Sequence, residues 1–353
     1  MLGGGIFVTQ NKVLPGSYIN FVNVGKATAN LGERGIVAIP MHLNKQIGSV
    51  IELTRLDFVS NCKDILGVEY SDDKVAPLRE IFCNATKVFV YDMGTEGAEF
   101  AKSVSDAIAA LEMYDFNILC AYTDVAEDIA QYITTIKAWR DDMGKKCQLV
   151  VYNQDAPDHE GIINVVSTVD KTVDTDAPDH ALVAWVAGAE AGCEVNESCT
   201  NKKYDGEYTV VCDKRQTELE DCIEAGQIVF HLVYGDVCLL EDITSLTTTD
   251  ATKGIDFKSN QTIRVLDQIA NDIAKLFNTK YLGKIPNNAT GRASLWADIV
   301  KHHRELERLG AIENFDAEGL TVEQGDTKKA VVVNETIIPV NAMAQLYMTV
   351  YVA

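Results

Sequence analysis

The sequence predicts a multidomain chain that mixes α/β and α+β architecture. It reads as a small β-rich N-terminal domain, an open α/β sheet domain, and an α+β C-terminal domain whose terminal strands are candidates for exchange between chains. Three observations carry this. The 353 residues, at roughly 100–200 per domain, suggest two or three domains. Short apolar strands alternate with helical stripes between Lys87 and Tyr152. Two long amphipathic helical patterns then follow between Gln261 and Leu309, and strand-like runs close the chain.

In chain order, residues 1–29 read as an arm: Gly3-Gly4-Gly5 is flexible, Pro15-Gly16 makes a turn, and Ser17 to Val24 is an extended apolar run. Residues 30–85 hold two strand-like pieces, Gly35 to Ile39 and Ile47 to Leu53, and are expected to form the β-rich unit. The α/β unit spans 86–215. Lys87 to Tyr91, Asn117 to Tyr122 and Cys147 to Tyr152 are continuously apolar, as strands buried on both faces are. Ala98 to Met113 and Val125 to Met143 carry the helical stripes between them, so the strands should run parallel with helical crossovers. His159-Glu160-Gly161 leads into a further strand at Ile162 to Val166, then a helix from Pro178 to Gly192 and a strand at Tyr208 to Cys212. Ala184, Gly188 and Gly192 share one face of that helix, which predicts close packing on the sheet.

The last unit, 216–353, opens with a short helix at Thr217 to Glu224. A hairpin then pairs Gln227–Tyr234 with Val237–Leu240 across Gly235-Asp236. Helices follow near Gln261 to Tyr281 and Gly291 to Leu309, the second stopped by Gly310. Strands are expected at Ala330 to Val333, Thr336 to Val340 and Leu346 to Val352.

Composition narrows the function classes. The chain is 47% hydrophobic and 24% charged, with a formal net charge of −21. Such a surface repels phosphate backbones, so nucleic acid is not expected as a direct partner. Ala251 to Gly310 is the exception, with ten Lys/Arg against six acids. Either helix surfaces there are solvated by mixed charge, or the segment faces an acidic partner. No run approaches 18 uninterrupted apolar residues; Ile223 to Leu240 is broken by Glu224, His231 and Asp236, so membrane insertion is not expected. The start lacks the basic and apolar regions of a signal peptide, and export by that route is not expected. Nine scattered cysteines without a C-x-x-C read as reduced, packed thiols.

Catalytic signatures are sparse: no G-x-x-x-x-G-K-[ST], no G-x-S-x-G and no H-E-x-x-H occurs. Asp92-Met93-Gly94-Thr95-Glu96-Gly97 lies between a strand and a helix but lacks dinucleotide spacing, and Glu96 and Glu99 would oppose a phosphate. Asp-Ala-Pro-Asp-His occurs at 155–159 and again at 176–180. A hard-metal site and an ordinary helix start at Pro178 are the two readings. His302 and His303 are neighbours on a helix, where side chains diverge by about 100°, so a surface pair or one buried imidazole is expected. No catalytic, cofactor or metal residue is assigned.

The chain ends are the most informative feature. Leu346, Met348, Val350 and Val352 alternate with Tyr347, Thr349 and Tyr351. Burying those four side chains is worth roughly 6–12 kcal/mol, and ordering seven residues costs roughly 7–14 kcal/mol. The strand therefore needs sheet neighbours, in its own chain or by β-augmentation of another. Val13, Tyr18, Ile19 and Phe21 raise the same question at the other end. Two such ends suggest a heterologous, head-to-tail mesh.

Several segments resemble contractile-tail sheath proteins from phages and prophages of Gram-positive bacteria. They are Gly3-Gly4-Gly5 with Pro15 to Phe21, Glu33 to Pro40, His159 to Asn164, Trp185 to Gly192, and Tyr281 to Asn287. The resemblance implies a structural virion protein, not an enzyme, with no cofactor. Its partners would be itself, as six-membered rings stacked into a helix, the tail tube protein, and baseplate and tail terminator proteins. It further implies arms exchanged between subunits, with Gly25 to Glu33 and Asn341 to Ala344 as tethers. Lys275, Lys284, Arg292, Lys301 and Arg304 then become candidates for a tube-facing basic surface. The rival reading is an oligomeric cytoplasmic α/β enzyme with a pocket near Asp92, Thr123 and Asn153.

Overall fold

The computed structural model describes residues 31–352. Its centre is a seven-stranded sheet in the order β2-β3-β1-β4-β5-β6-β7. The strands are β1 (Ile36–Met41), β2 (Val50–Thr54), β3 (Lys87–Asp92), β4 (Ile118–Cys120), β5 (Gln148–Tyr152), β6 (Ile162–Val165) and β7 (Gln227–Ile228). All neighbours are parallel except β2, which runs antiparallel to β3 at the edge.

Both faces are covered, which explains the unbroken apolar strands. Val37 and Ile39, Val88 and Val90, and Val150 face the helices α1 (Arg55–Leu66), α2 (Ala76–Ile81) and α5 (Leu182–Gly192). Ala38, Phe89, Tyr91, Leu149 and Val151 face α3 (Val104–Leu111) and α4 (Ala126–Ala138). A π-helical turn, Trp139–Met143, ends α4. The helix expected from Ala98 begins only at Val104, because Ser103 and Asp106 form a reciprocal capping box there. The helix expected from Pro178 begins at Leu182, after a turn.

The α6 helix (Gln216–Glu224) leads into β7, and a separate hairpin pairs β8 (Phe230–Val233) with β9 (Asp236–Leu239). A third apolar cluster joins α7 (Asn260–Leu276), α8 (Ala289–Leu309) and the antiparallel pair β10 (Thr321–Gln324) and β11 (Val331–Asn334).

Several expectations need correction. Residues 31–85 form no β-rich unit of their own. All six residues of β1 are buried, so this strand lies inside the main sheet between β3 and β4, and the rest of the segment is largely α1 and α2. Tyr208 to Cys212 makes a single bridge, Val169 with Val210, and Thr336 to Val340 likewise only Ile312 with Pro339. Gln227 and Ile228 leave the expected hairpin to extend the large sheet. Gly188 and Gly192 face the end of α2 and the turn after it, where Ile81 and Asn84 carbonyls approach them.

The largest correction concerns α7. Its apolar side meets α8, as expected, but Gln261, Thr262, Arg264, Asp267 and Gln268 are buried too. They fasten the helix to the α/β layer. Arg264 Nη2 donates to Glu190 Oε2 at 2.6 Å and to Asp242 Oδ2 at 3.2 Å. Arg140 donates to both Asp267 oxygens at 2.6 and 2.9 Å, and Gln148 donates to Asn260 Oδ1 at 3.0 Å.

Candidate assembly surface

The end of the chain is pinned and then released. Val340 N–H donates to Ala311 O at 3.0 Å, and Glu313 N–H donates to Ile338 O at 3.0 Å. Gln261 on α7 clamps the next residues: its Nε2 donates to Val340 O at 3.1 Å, and its Oε1 accepts from Ala342 N–H at 2.8 Å. Beyond this point residues 343–352 form no helix or strand. Leu346 is 86% exposed and Val352 94%, and Met348 and Val350 are exposed with them. Tyr347 and Tyr351 on the alternate positions are equally exposed. The expected strand has no ladder within the described residues, and both of its faces lie open. The N-terminal candidates Val13, Tyr18, Ile19 and Phe21 lie outside the described residues.

Close by, β10 and β11 pair only with each other among the described residues. Trp296 Nε1 on α8 donates to Leu320 O at 3.1 Å, and Asn287 Nδ2 donates to Ala330 O at 2.8 Å, which hold this pair on the helices. A groove of about 450 Å³ runs between α8 and β11, lined by Phe277, Tyr281, Ile285 and Leu295, with Arg292 and Lys329 on it.

The basic segment does not act as one surface. Arg264 is buried on Glu190 and Asp242, and Lys253 donates to Glu160 Oε2 at 2.9 Å. Of the five candidates, Lys275, Lys284, Lys301 and Arg304 are exposed and Arg292 is half-buried. Arg304 Nη1 lies 2.9 Å from Glu307, and Arg292 donates to Asn287 Oδ1 at 3.0 Å.

The motifs weighed for catalysis are structural. Asp92 is buried and accepts the N–H groups of Asn44, Lys45, Gln46 and Gly94 at 2.6–2.9 Å. Burial alone would raise its carboxyl, but those four amides hold it below its ordinary range. The loop thus wraps an internal carboxylate. Asp158 accepts from the amides of Thr247 and Thr248, which overcome burial and bring it down to about 2. His159 accepts from Gly161 N–H at Nδ1, 2.9 Å, which leaves Nε2 to donate to Asp141 at 3.2 Å. His180, in the second copy of the motif, packs edge-on to Tyr122 instead. Asp141, His159 and Glu160 converge, as do Glu190, Cys199 and Asp242. Each group already holds a cation of the protein, Lys253 in one and Arg264 in the other.

His302 and His303 are both buried, against expectation, and their Nδ1 atoms lie 3.0 Å apart. Asp272 of α7 meets His302, and Glu335 and Phe315 meet His303. Adjacent rings can meet because divergent directions on the helix still allow the side chains to fold toward each other.

Two family models match, the phage tail sheath protein central domain over residues 100–245 and the phage tail sheath C-terminal domain over 252–353. The chain belongs to the phage tail sheath family. It is 30% identical over 269 residues to the phage-like element PBSX protein XkdK of Bacillus subtilis, covering 73% of this chain and 58% of that protein. The sheath chain thus spans little more than half the length of that relative. It is 25% identical to the tail sheath protein of Clostridium phage phiCD119, over 85% of this chain and 82% of that one. Among solved structures, the sheath tail protein of Desulfitobacterium hafniense superposes with a TM-score of 0.77 at 26% identity, covering 92% and 96% of the two chains. The sheath C-terminal match takes in α7, α8, β10, β11 and the exposed terminal segment together.

Proposed function

We propose that this chain is the repeating subunit of a contractile tail sheath, polymerising helically around a tail tube and contracting to drive that tube through the host envelope. The observation that carries the reading is the exposed apolar segment 343–352, which is pinned at its root and has no partner strand among the described residues. A solvent-exposed run of that composition is a hazard unless another chain covers it. The β10–β11 pair of a neighbouring subunit, with its unpaired edges, is the acceptor of Leu346 to Val352 in this reading. The N-terminal residues Val13, Tyr18, Ile19 and Phe21 would add the second exchanged strand.

In this arrangement subunits form hexameric rings that stack into a helix, with tube, baseplate and tail terminator proteins as neighbours. The particle is assembled in the bacterial cytoplasm and the subunit ends in the virion. In this reading the outer region is the unit built on the seven-stranded sheet from β1 to β7, and α7, α8, β10, β11 and the terminal segment form the assembly region. No catalytic step and no cofactor are needed. The energy of contraction is that of a bistable packing between subunits.

Deleting Leu346 to Ala353 tests this. The truncated chain should remain folded, with an unchanged melting transition, and should form no tubes in negative-stain micrographs. Long tubes from the truncated chain would overturn the arm assignment.

A further inference from the structure

The four side chains Asp272, His302, His303 and Glu335 form a continuous hydrogen-bonded row. Asp272 Oδ2 on α7 lies 2.9 Å from His302 Nε2, the two histidine Nδ1 atoms are 3.0 Å apart, and His303 Nε2 lies 2.7 Å from Glu335 Oε2. Three hydrogen bonds in a row need three protons. Two ionised carboxylates and two neutral imidazoles bring only two. With each Nε2–H donated to its carboxylate, both Nδ1 atoms would present lone pairs to each other. A fourth proton would set two N–H groups against each other. The row is therefore complete only when it holds a single extra proton, shared between the imidazoles, with a net charge of −1.

Its ends are placed at the roots of both termini. Asp272 Oδ1 accepts from Gly32 N–H at 2.8 Å, where the described N-terminal segment begins. Glu335 directly follows β11 and precedes the pinned residues 338–342. The other groups around the pair are few. Gln268 Nε2 donates to Asp272 Oδ2 at 2.9 Å, and Arg34 reaches Gln268 at 3.4 Å. Phe315 meets the His303 ring edge-on at 5.0 Å, and Arg304, paired with Glu307, lies over that same phenyl ring. Lys301 and Glu305 flank the pair on α8.

We infer that the His302–His303 pair is a one-proton latch. Holding the proton, it ties α7 and α8 to Glu335 and keeps the root of the C-terminal segment in place. Losing it, the two Nδ1 lone pairs face each other, the rings part, and the His303–Glu335 bond loses the charge of an imidazolium, so Glu335 is held less tightly. The proton count stands on the geometry of these four side chains alone. Its consequence, that proton loss loosens the arm for exchange with a neighbour, rests on the sheath reading.

The test uses the full chain, kept unassembled, with ¹⁵N-labelled histidine and a titration across about pH 5–8, where imidazoles change charge. One ring of the pair should show both nitrogens protonated at the lower end and lose one proton as pH rises. As it does, the protection factors of the Val340, Ala342 and Glu313 amides should fall by about tenfold, while those of β1 and β3 stay constant. Glu335→Gln keeps an acceptor for His303 but removes a charge, so the ring proton should leave at a lower pH. Rings that stay singly protonated at Nε2 throughout would overturn the proton count. Protection that ignores loss of the ring proton would overturn the latch. Tube formation, scored separately in micrographs, bears on the sheath reading and leaves both results intact.

Discussion

Glu80 shows how one residue can make stability depend on pH. Its carboxyl is buried under Tyr204, whose hydroxyl donates to it at 2.8 Å, and it accepts Glu207 N–H at 2.7 Å. Burial outweighs these bonds and raises the group from 4.5 to about 7. A folded-state value above the unfolded one gives stability that is full below about 4.5 and lost as pH rises through 7. That shift corresponds to about 3 kcal/mol. Glu80→Gln should therefore be more stable than the parent at pH 8, with the difference shrinking toward pH 5, in paired thermal melts. A constant difference across that range would remove Glu80 as the source. Glu190 belongs to the same class: burial pushes its carboxyl well above its ordinary value, while Arg264, a hydrogen bond from Glu190 and the Cys199 N–H keep neighbouring Asp242 low despite burial. One arginine thus meets both carboxyl groups in the layer between α5 and α7.

Among the elements, α5 and α7 set how closely the layers approach. At Gly188 of α5, a Cβ would stand 2.4 Å from the Ile81 carbonyl oxygen, and at Gly192 it would stand 2.2 Å from that of Asn84. Both neighbours are backbone, so neither can step aside cheaply. Gly188→Ala should cost about 1–3 kcal/mol through displacement of α2, read as a melting temperature lower by several degrees in calorimetry. An unchanged transition would show that α2 yields freely. The helix stripes of α3, α4, α7 and α8 were legible because apolar spacing repeats over several turns. The capping box at Ser103 and Asp106 was also legible in principle, as the S-x-x-D pattern that moves the start of α3 past Phe100. The buried polar side of α7 was not, since Arg264, Asp267 and Gln268 look like a solvated face until their partners at 140, 190 and 242 are known.

For the whole molecule, charge placement decides what the basic segment can do. Removing Arg264 and Lys253 to internal pairs leaves Lys275 as an exposed cation near the C-terminal end of α7, the opposite end from the Gln261 clamp. Lys275→Glu should weaken co-sedimentation with tube protein a few-fold, in the range of a surface charge contact of about 0.2–1 kcal/mol, and added salt should weaken the parent in the same way. Unchanged co-assembly at both low and high salt would remove a tube-facing role for this residue.

The run of residues alone determined the layered α/β centre, the long C-terminal helices and the apolar terminus, because each of these is a local pattern repeated over many positions. Family membership was also legible there, in segments spread from Glu33 to Asn287. Only the tertiary structure decided that Ile36–Met41 lies in the main sheet, that His302 and His303 share a buried row with two carboxylates, and that residues 343–352 find no ladder among the described residues. The physical reason is the same in each case. Strand order, side-chain pairing and edge satisfaction are fixed by contacts between residues distant in sequence, and no local spacing encodes which distant partner is present.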